Sequence, residues 1–140
     1  MQKSSGLKVI LLTSIFLVYA AGCQENASPE PTRVINKETH EAEELLEELE
    51  PITTAVAITS GKKLYAAAEV KQMDRFQLES VRKKGYDRLS NRWPDYNIHF
   101  STDKKAMLEL QNLNKDMSVK KMKKKEREQR LTKIEEFMKG

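Results

Sequence analysis

The side chains that could do chemistry in this chain of 140 residues are few: one cysteine, Cys23, two histidines, His40 and His99, and 21 carboxylates. Catalysis requires convergent groups, such as a nucleophile with its base, a carboxylate pair or a set of metal ligands. The sequence has no His-x-x-His or Glu-x-x-His pair, no Gly-x-Ser-x-Gly elbow and no glycine-rich phosphate loop. His40 stands among glutamates with no second histidine near it, which is thin support for a metal site. His99 lies in an alternating stretch, where a histidine is more often a surface or packing residue than a base. Glu69, Asp87 and Asp95 could converge only if the fold brought them together. The expectation is therefore a protein with no catalytic residues, no metal ligands and no dissociable cofactor. A single cysteine also excludes intrachain disulfides, CxxC redox chemistry and cysteine-based zinc sites.

The position of Cys23 gives it a different chemistry. Lys3 and Lys8 precede Val9-Ile10-Leu11-Leu12-Thr13-Ser14-Ile15-Phe16-Leu17-Val18-Tyr19, a short apolar run that ends in small residues. This is the three-part pattern of a bacterial secretory signal. Ala20-Ala21-Gly22-Cys23 resembles a lipobox, in which a peptidase cuts before a cysteine whose sulfur carries a diacylglyceryl group. Cleavage between Gly22 and Cys23 would leave a lipidated Cys23 at the mature N-terminus, with that covalent lipid as the only attached group. An uncleaved transmembrane anchor is the alternative, but about 13 apolar or small residues fall short of the roughly 20 that a spanning helix needs. The expected location is the extracytoplasmic face of the cell membrane.

Charge divides the rest of the chain. Gln24 to Glu50 carries net −7, Pro51 to Asp103 net +3 and Lys104 to Gly140 net +6, so the modest total of +4 hides a strongly polarised sequence. The divisions read as a signal over 1–22, a lipidated cysteine with an acidic flexible stalk over 23–50, a small folded domain over 51–114 and a basic helical tail over 115–140. In the stalk, Asn26 to Thr32 is polar and proline-bearing, with too little apolar surface to order itself. Ala42, Leu45, Leu46 and Leu49 recur at helical spacing within a field of glutamates. That stretch reads as a solvated, partly helical spacer stopped before Pro51, with an acidic dock for a basic partner as the functional alternative.

The folded segment is the most patterned. Ile52 to Thr59 alternates, with Ile52, Val56 and Ile58 on one face. Ser60-Gly61-Lys62-Lys63 is a turn, and Leu64 to Val70 returns as a second strand whose alanines leave a thin face for a helix to approach. Asp74-Arg75-Phe76-Gln77 is spaced as a capping box, with Met73 and Leu78 as a staple. Beyond it, Leu78, Val81, Gly85, Leu89 and Trp93 form one helical stripe. Tyr96 to Phe100 alternates as a third strand, Ser101-Thr102-Asp103 offers three N-caps, and Met107, Leu110 and Leu113 face a core. The fold class expected is α+β: a small sheet formed by a hairpin plus one further strand, packed against helices.

The lipobox, the polar stalk, the strands around Ala55-Val56-Ala57-Ile58 and Leu64-Tyr65-Ala66-Ala67-Ala68, and above all Pro94-Asp95-Tyr96-Asn97-Ile98-His99-Phe100-Ser101-Thr102-Asp103, resemble the sporulation lipoprotein family of the YhcN/YlaJ type in endospore-forming bacteria. The resemblance covers Cys23 and residues 52–113. His99 and Phe100 stand where that family more often shows valine and tyrosine or valine pairs, and its usual proline after Ser-Thr-Asp is missing. The resemblance implies a membrane-anchored protein of the forespore or spore inner membrane, linked to sporulation, germination or outgrowth. It carries over no catalytic residue.

The tail supplies the remaining candidates. Lys120, Lys121, Lys123, Lys124, Lys125, Arg127 and Arg130 are interrupted by apolar residues at helical spacing, with no proline or glycine before Gly140, so one long helix is expected. A solvated helix is the plainest reading. Contact with anionic lipid headgroups, with anionic wall polymers or with the acidic stalk are the functional ones. Nucleic acid is not expected, since the run lacks interleaved aromatics for base stacking. The partners anticipated are thus membrane lipid through Cys23 and an anionic surface through the tail. The alternative to a spore role is a wall- or polymer-binding lipoprotein of the vegetative surface that uses Arg82, Lys83, Lys84 and Arg88 together with the tail.

Overall fold

The computed structural model describes residues 36–139; Gly22, Cys23, the signal and the proline-bearing stretch lie outside the described residues. The elements run α1 (Lys37–Glu47), β1 (Ile52–Ser60), β2 (Lys63–Val70), a 3-10 turn (Gln72–Gln77), α2 (Leu78–Arg92), β3 (Asn97–Ser101), α3 (Lys104–Val119) and α4 (Lys124–Met138). The sheet order is β1-β2-β3, with β1 and β2 antiparallel and β2 and β3 parallel. The class is α+β, as the alternation of patterns in the sequence predicts.

The hairpin follows from its turn. Gly61 has φ +60°, which a glycine adopts without steric cost, and Ser60 pairs with Lys63 across it. At the open end the register shifts between Ile52, paired with Val70, and Thr54, paired with Glu69. That bulge at Thr53 turns Ile52 to the opposite face from Val56 and Ile58. The shared face expected for the three residues is therefore corrected: Ile52 joins Ala55 and Ala57, while Val56 and Ile58 look the other way.

Helices cover both faces of the sheet. On the first, Ala42 and Leu46 of α1 and Val81, Leu89 and Trp93 of α2 pack on Ala55, Ala57, Ala66, Ala68, Leu64 and Ile98. On the second, Met107, Leu110 and Leu113 of α3 and Leu131 and Ile134 of α4 pack on Val56, Ile58, Tyr65 and Ala67. The alanine-rich strands let helices come close, and Gly85 of α2 shows how close. A Cβ built there would lie 2.8 Å from Cζ of Phe100 on β3. Gly85→Ala should thus destabilise by about 1 kcal/mol, overpacking outweighing the gain in helix propensity. In a Phe100→Ala background the same change should stabilise, and a double-mutant cycle by chemical denaturation reads the change of sign.

Three expectations are overturned. The acidic stretch over 37–47 is no solvated stalk but a packed helix, because Ala42 and Leu46 are fully buried and its glutamates reach the edge of the sheet. Glu47 Oε1 accepts from the Ala55 N–H at 2.9 Å and Glu43 Oε1 from the Ala57 N–H at 3.0 Å. Four helical residues rise about 6 Å and two strand residues about 6.6 Å, so an i, i+4 pair of carboxylates matches the outward N–H groups of an edge strand. The capping box at Asp74 does not form either. Residues 72–77 make a 3-10 turn with no side-chain cap, α2 begins at Leu78, and Met73 is exposed instead of stapled.

The third correction concerns the tail. It is not one long helix, since α3 closes at Lys120 and α4 opens after Lys123 and folds back. No breaker residue lies between them. Five lysines in six positions repel one another there, and reversal lets Leu131 and Ile134 bury almost completely. Arg130 Nη1 clips the two helices together by donating to Asp116 Oδ2 at 2.5 Å.

Candidate functional site

The corner between α3 and α4 collects the residues that the sequence marks for an anionic surface. Lys120 and Lys121 follow the end of α3, Lys123 precedes α4, and Lys124 and Lys125 are its first two residues. All five are exposed. Met122, half-buried against the second core, holds the corner down and leaves the lysines around it in solvent. Glu126 lies 3.9 Å from Lys120 and Glu128 3.8 Å from Lys124, exposed pairs that hold little energy. Arg127 and Arg130 are only half-exposed. Arg130 is committed to Asp116 and holds that carboxyl below its usual range, while Arg127 Nε is buried without a hydrogen-bond partner among the described residues. The seven tail residues therefore split into five surface lysines and two arginines that belong partly to the fold.

The basic residues of α2 divide in the same way. Arg88 Nη1 donates to the Leu45 carbonyl at 3.1 Å and to Glu48 at 2.8 Å, and Arg92 pairs with Glu41. The acidic segment thus meets α2 and not the basic tail. Arg82, Lys83 and Lys84 remain exposed, with Asp87 3.5 Å from Lys83.

A second cluster lies between β3 and α4. His99 stacks on Tyr65 with ring centroids 4.8 Å apart, and Glu135 stands 3.9 Å from it and 3.8 Å from Lys63. Of the two roles expected for His99, surface or packing, the structure shows packing, with α4 against β3. Burial lowers the His99 pKa, Lys63 and Lys139 add to that, and Glu135 opposes it. The folded state therefore favours the neutral ring. Its contribution to stability is complete above the ordinary histidine value near 6.5 and is lost as pH falls through that value toward the lowered one. A His99→Phe variant, which keeps the stack, should lose less stability than the parent between pH 7.5 and pH 5.5 in denaturant titrations.

Nothing else converges among the described residues. Glu69 lies at the open end of the hairpin, whereas Asp95 precedes Asn97, which pairs with Lys63 at the turn end. Asp87 is held on α2. His40 is exposed on α1, 3.2 Å from Glu44. A shallow cleft of about 390 Å³ between the end of α1 and the start of α2 is lined by Glu48, Glu50, Asp74 and Lys84 among others. No cluster of three metal-ligating side chains occurs among the described residues, and none of their helices is long and apolar enough to cross a membrane. The residues that sequence reasoning missed are Glu43, Glu47 and Arg92, and Arg88, expected on a binding face, is instead tied to α1. Their available signal was the stripe of Ala42, Leu45, Leu46 and Leu49, which needed a surface to face.

The fold and its surface define a small α+β protein whose most distinctive feature is a lysine-rich corner. No protein-family model matches the chain, and no curated protein matches it.

Proposed function

We propose that this chain is a membrane-anchored, non-catalytic lipoprotein acting in spore formation, germination or outgrowth, held on the extracytoplasmic face of the forespore or spore inner membrane. The observation that carries the reading is the lone Cys23, placed directly after an export-type apolar run and the small residues Ala20-Ala21-Gly22. The resemblance over Pro94 to Asp103 supplies the link to sporulation. A protein with this role needs no converging catalytic groups. It needs an anchor, a stable body and a surface for its partner.

An immunoblot of detergent-extracted membranes from growing cells and from purified spores, run beside a Cys23→Ala variant, tests this. The protein should appear in spore membranes alone, and the variant should leave that fraction. Abundance in growing cells would remove the sporulation link, and a variant that stays membrane-bound would remove the lipid anchor. The five exposed lysines favour a second reading, a lipoprotein that binds anionic wall polymers on the vegetative surface. Salt-sensitive pull-down on purified wall polymer, lost when Lys121, Lys123 and Lys125 are replaced by glutamine, would support it.

A further inference from the structure

We propose that the turn end of the hairpin is a membrane-facing pole, with Lys62 and the lysines of the α3–α4 corner contacting anionic lipid headgroups. This rests on the Cys23 anchor proposed above and adds an orientation to it.

The first support is where the chain enters the fold. Asn36 Nδ2 donates to Thr59 Oγ1 at 2.8 Å, and the Tyr96 hydroxyl donates to Glu38 at 3.0 Å. Thr59 and Tyr96 both lie at the turn end, so α1 starts there. Thirteen residue steps separate Cys23 from Asn36, at most about 45 Å of extended chain. An anchored Cys23 therefore keeps this end of the domain within reach of the bilayer.

The second support is topology. β3 is parallel to β2, with Asn97 beside Lys63 and Ser101 beside Ala67. Only Thr102 and Asp103 link β3 to α3, so α3 must run back toward the turn end to cover the sheet. Its 16 residues span about 24 Å, against about 16 Å for the five residues of β3. The helix outruns the strand, and its C-terminus carries the corner to the pole where Lys62 and the entry point already stand.

The third support is charge. Lys120 to Arg130 holds seven bases and two acids. Lys121, Lys123 and Lys125 have no ion-pair partner among the described residues. Lys124 and Lys125 also occupy the first turn of α4, where the helix macrodipole is positive and a second positive charge is unfavourable. An anion bound there relieves both the dipole and the repulsion among the lysines. The carboxylates nearest this pole are Glu38, Asp95, Asp116, Glu126, Glu128 and Glu135, the last 3.8 Å from Lys63. All but Asp95 already have a polar partner. Glu48, Glu50 and Asp74 sit at the opposite end, around the cleft. At that end Lys71 and Lys84 stand among these acids, whereas the lysines of the corner outnumber its acids, so the unbalanced positive charge lies where the tether enters.

The test uses the full chain as extracted from cells in detergent and reconstituted into vesicles of phosphatidylcholine, with or without phosphatidylglycerol. Lysines are acetylated at single-hit levels and read by mass spectrometry. Each lysine within a Debye length of an anionic leaflet favours contact about fivefold, so Lys62, Lys121, Lys123 and Lys125 should react at least about fivefold more slowly on anionic vesicles. Lys71 and Lys84, at the opposite end, should not change, and high salt should abolish the difference. A K121E/K123E/K125E variant should lose the shielding of Lys62 without losing thermal stability, since the three side chains are exposed and an acid in the first turn of α4 suits the helix dipole. Equal rates on both vesicles, shielding of Lys71 and Lys84 instead, or shielding only by added anionic wall polymer would overturn the proposal. The intact mass of the extracted chain separately reads the lipid on Cys23. Its absence sinks the anchor and the orientation with it, whereas lipid present with unshielded lysines sinks the pole alone.

Discussion

Replacing Leu131 by alanine is expected to destabilise the protein by about 2–5 kcal/mol, the range for truncating a large buried side chain in a core that cannot fully collapse. Leu131 is 1% exposed and sits with Ile134, Met107, Leu110 and Leu113 above Tyr65 and Ala67. A small domain has about 5–15 kcal/mol in all, so a single change in the segment that reads as a tail should consume a large part of it. Had that segment been a solvated helix, the substitution would cost nothing, since alanine is the better helix former. Lys133→Ala, two residues away and exposed, serves as the control and should stay within about 0.5 kcal/mol of the parent. The denaturant midpoint, followed by circular dichroism, reads both. Equal midpoints for Leu131→Ala and Lys133→Ala would mean that α4 does not belong to the core.

The second large effect is expected at the guarded edge of the sheet. The double change Glu43→Ala/Glu47→Ala leaves the N–H groups of Ala55 and Ala57 without the carboxylates that accept from them. Stranding partly buried donors costs roughly 1–3 kcal/mol for the pair, because water can reach the more exposed Glu47 position. It also uncovers an edge strand able to pair with another chain. We therefore expect both a lower denaturant midpoint and concentration-dependent association in sedimentation. Glu43→Gln makes the informative comparison. Burial raises the Glu43 pKa, only partly offset by the Ala57 N–H, so a neutral amide oxygen keeps the hydrogen bond without burying a charge. It should be neutral or mildly stabilising. A double alanine variant as stable and monomeric as the parent would show that the edge needs no guard.

These two sites also mark where the sequence could and could not be read. The hairpin, β3, the Asp103 cap and the stripe of Val81, Gly85, Leu89 and Trp93 were legible, because alternation, turn chemistry and helical spacing are local properties. Leu78, expected at the head of that stripe, is only half-buried and outside the core. Asp103 does accept from the Lys105 and Ala106 N–H groups, at 2.8 and 3.0 Å. The roles of 37–47 and 124–138 were not legible, because each helix is so heavily charged that its composition imitates a solvated segment. A stripe of two or three apolar residues decides its burial, and the surface that it fits is built from residues distant in the chain. The bulge at Thr53 was hidden for a related reason. Strand parity predicts one face for Ile52, Val56 and Ile58, and only pairing with β2 shows where one residue is skipped. Among the candidate site residues, exposure of the five lysines agreed with their spacing. The commitment of Arg130 to Asp116 depended on the reversal of α4, which no breaker residue announces.

The two interiors differ in chemistry as well as in location. The face covered by α1 and α2 is built largely of alanine, leucine and isoleucine and contains no sulfur. The face covered by α3 and α4 holds Met107 and is rimmed by Met117, Met122 and Met138, all the described methionines except the exposed Met73. Thioethers are pliant packing material, but oxidation turns each into a polar, chiral sulfoxide that no longer fits an apolar seam. Within this seam the half-buried Met117, Met122 and Met138 are the ones an oxidant reaches before the buried Met107. Under oxidising stress the molecule should therefore loosen asymmetrically, freeing α4 and the lysine corner while the alanine face stays closed.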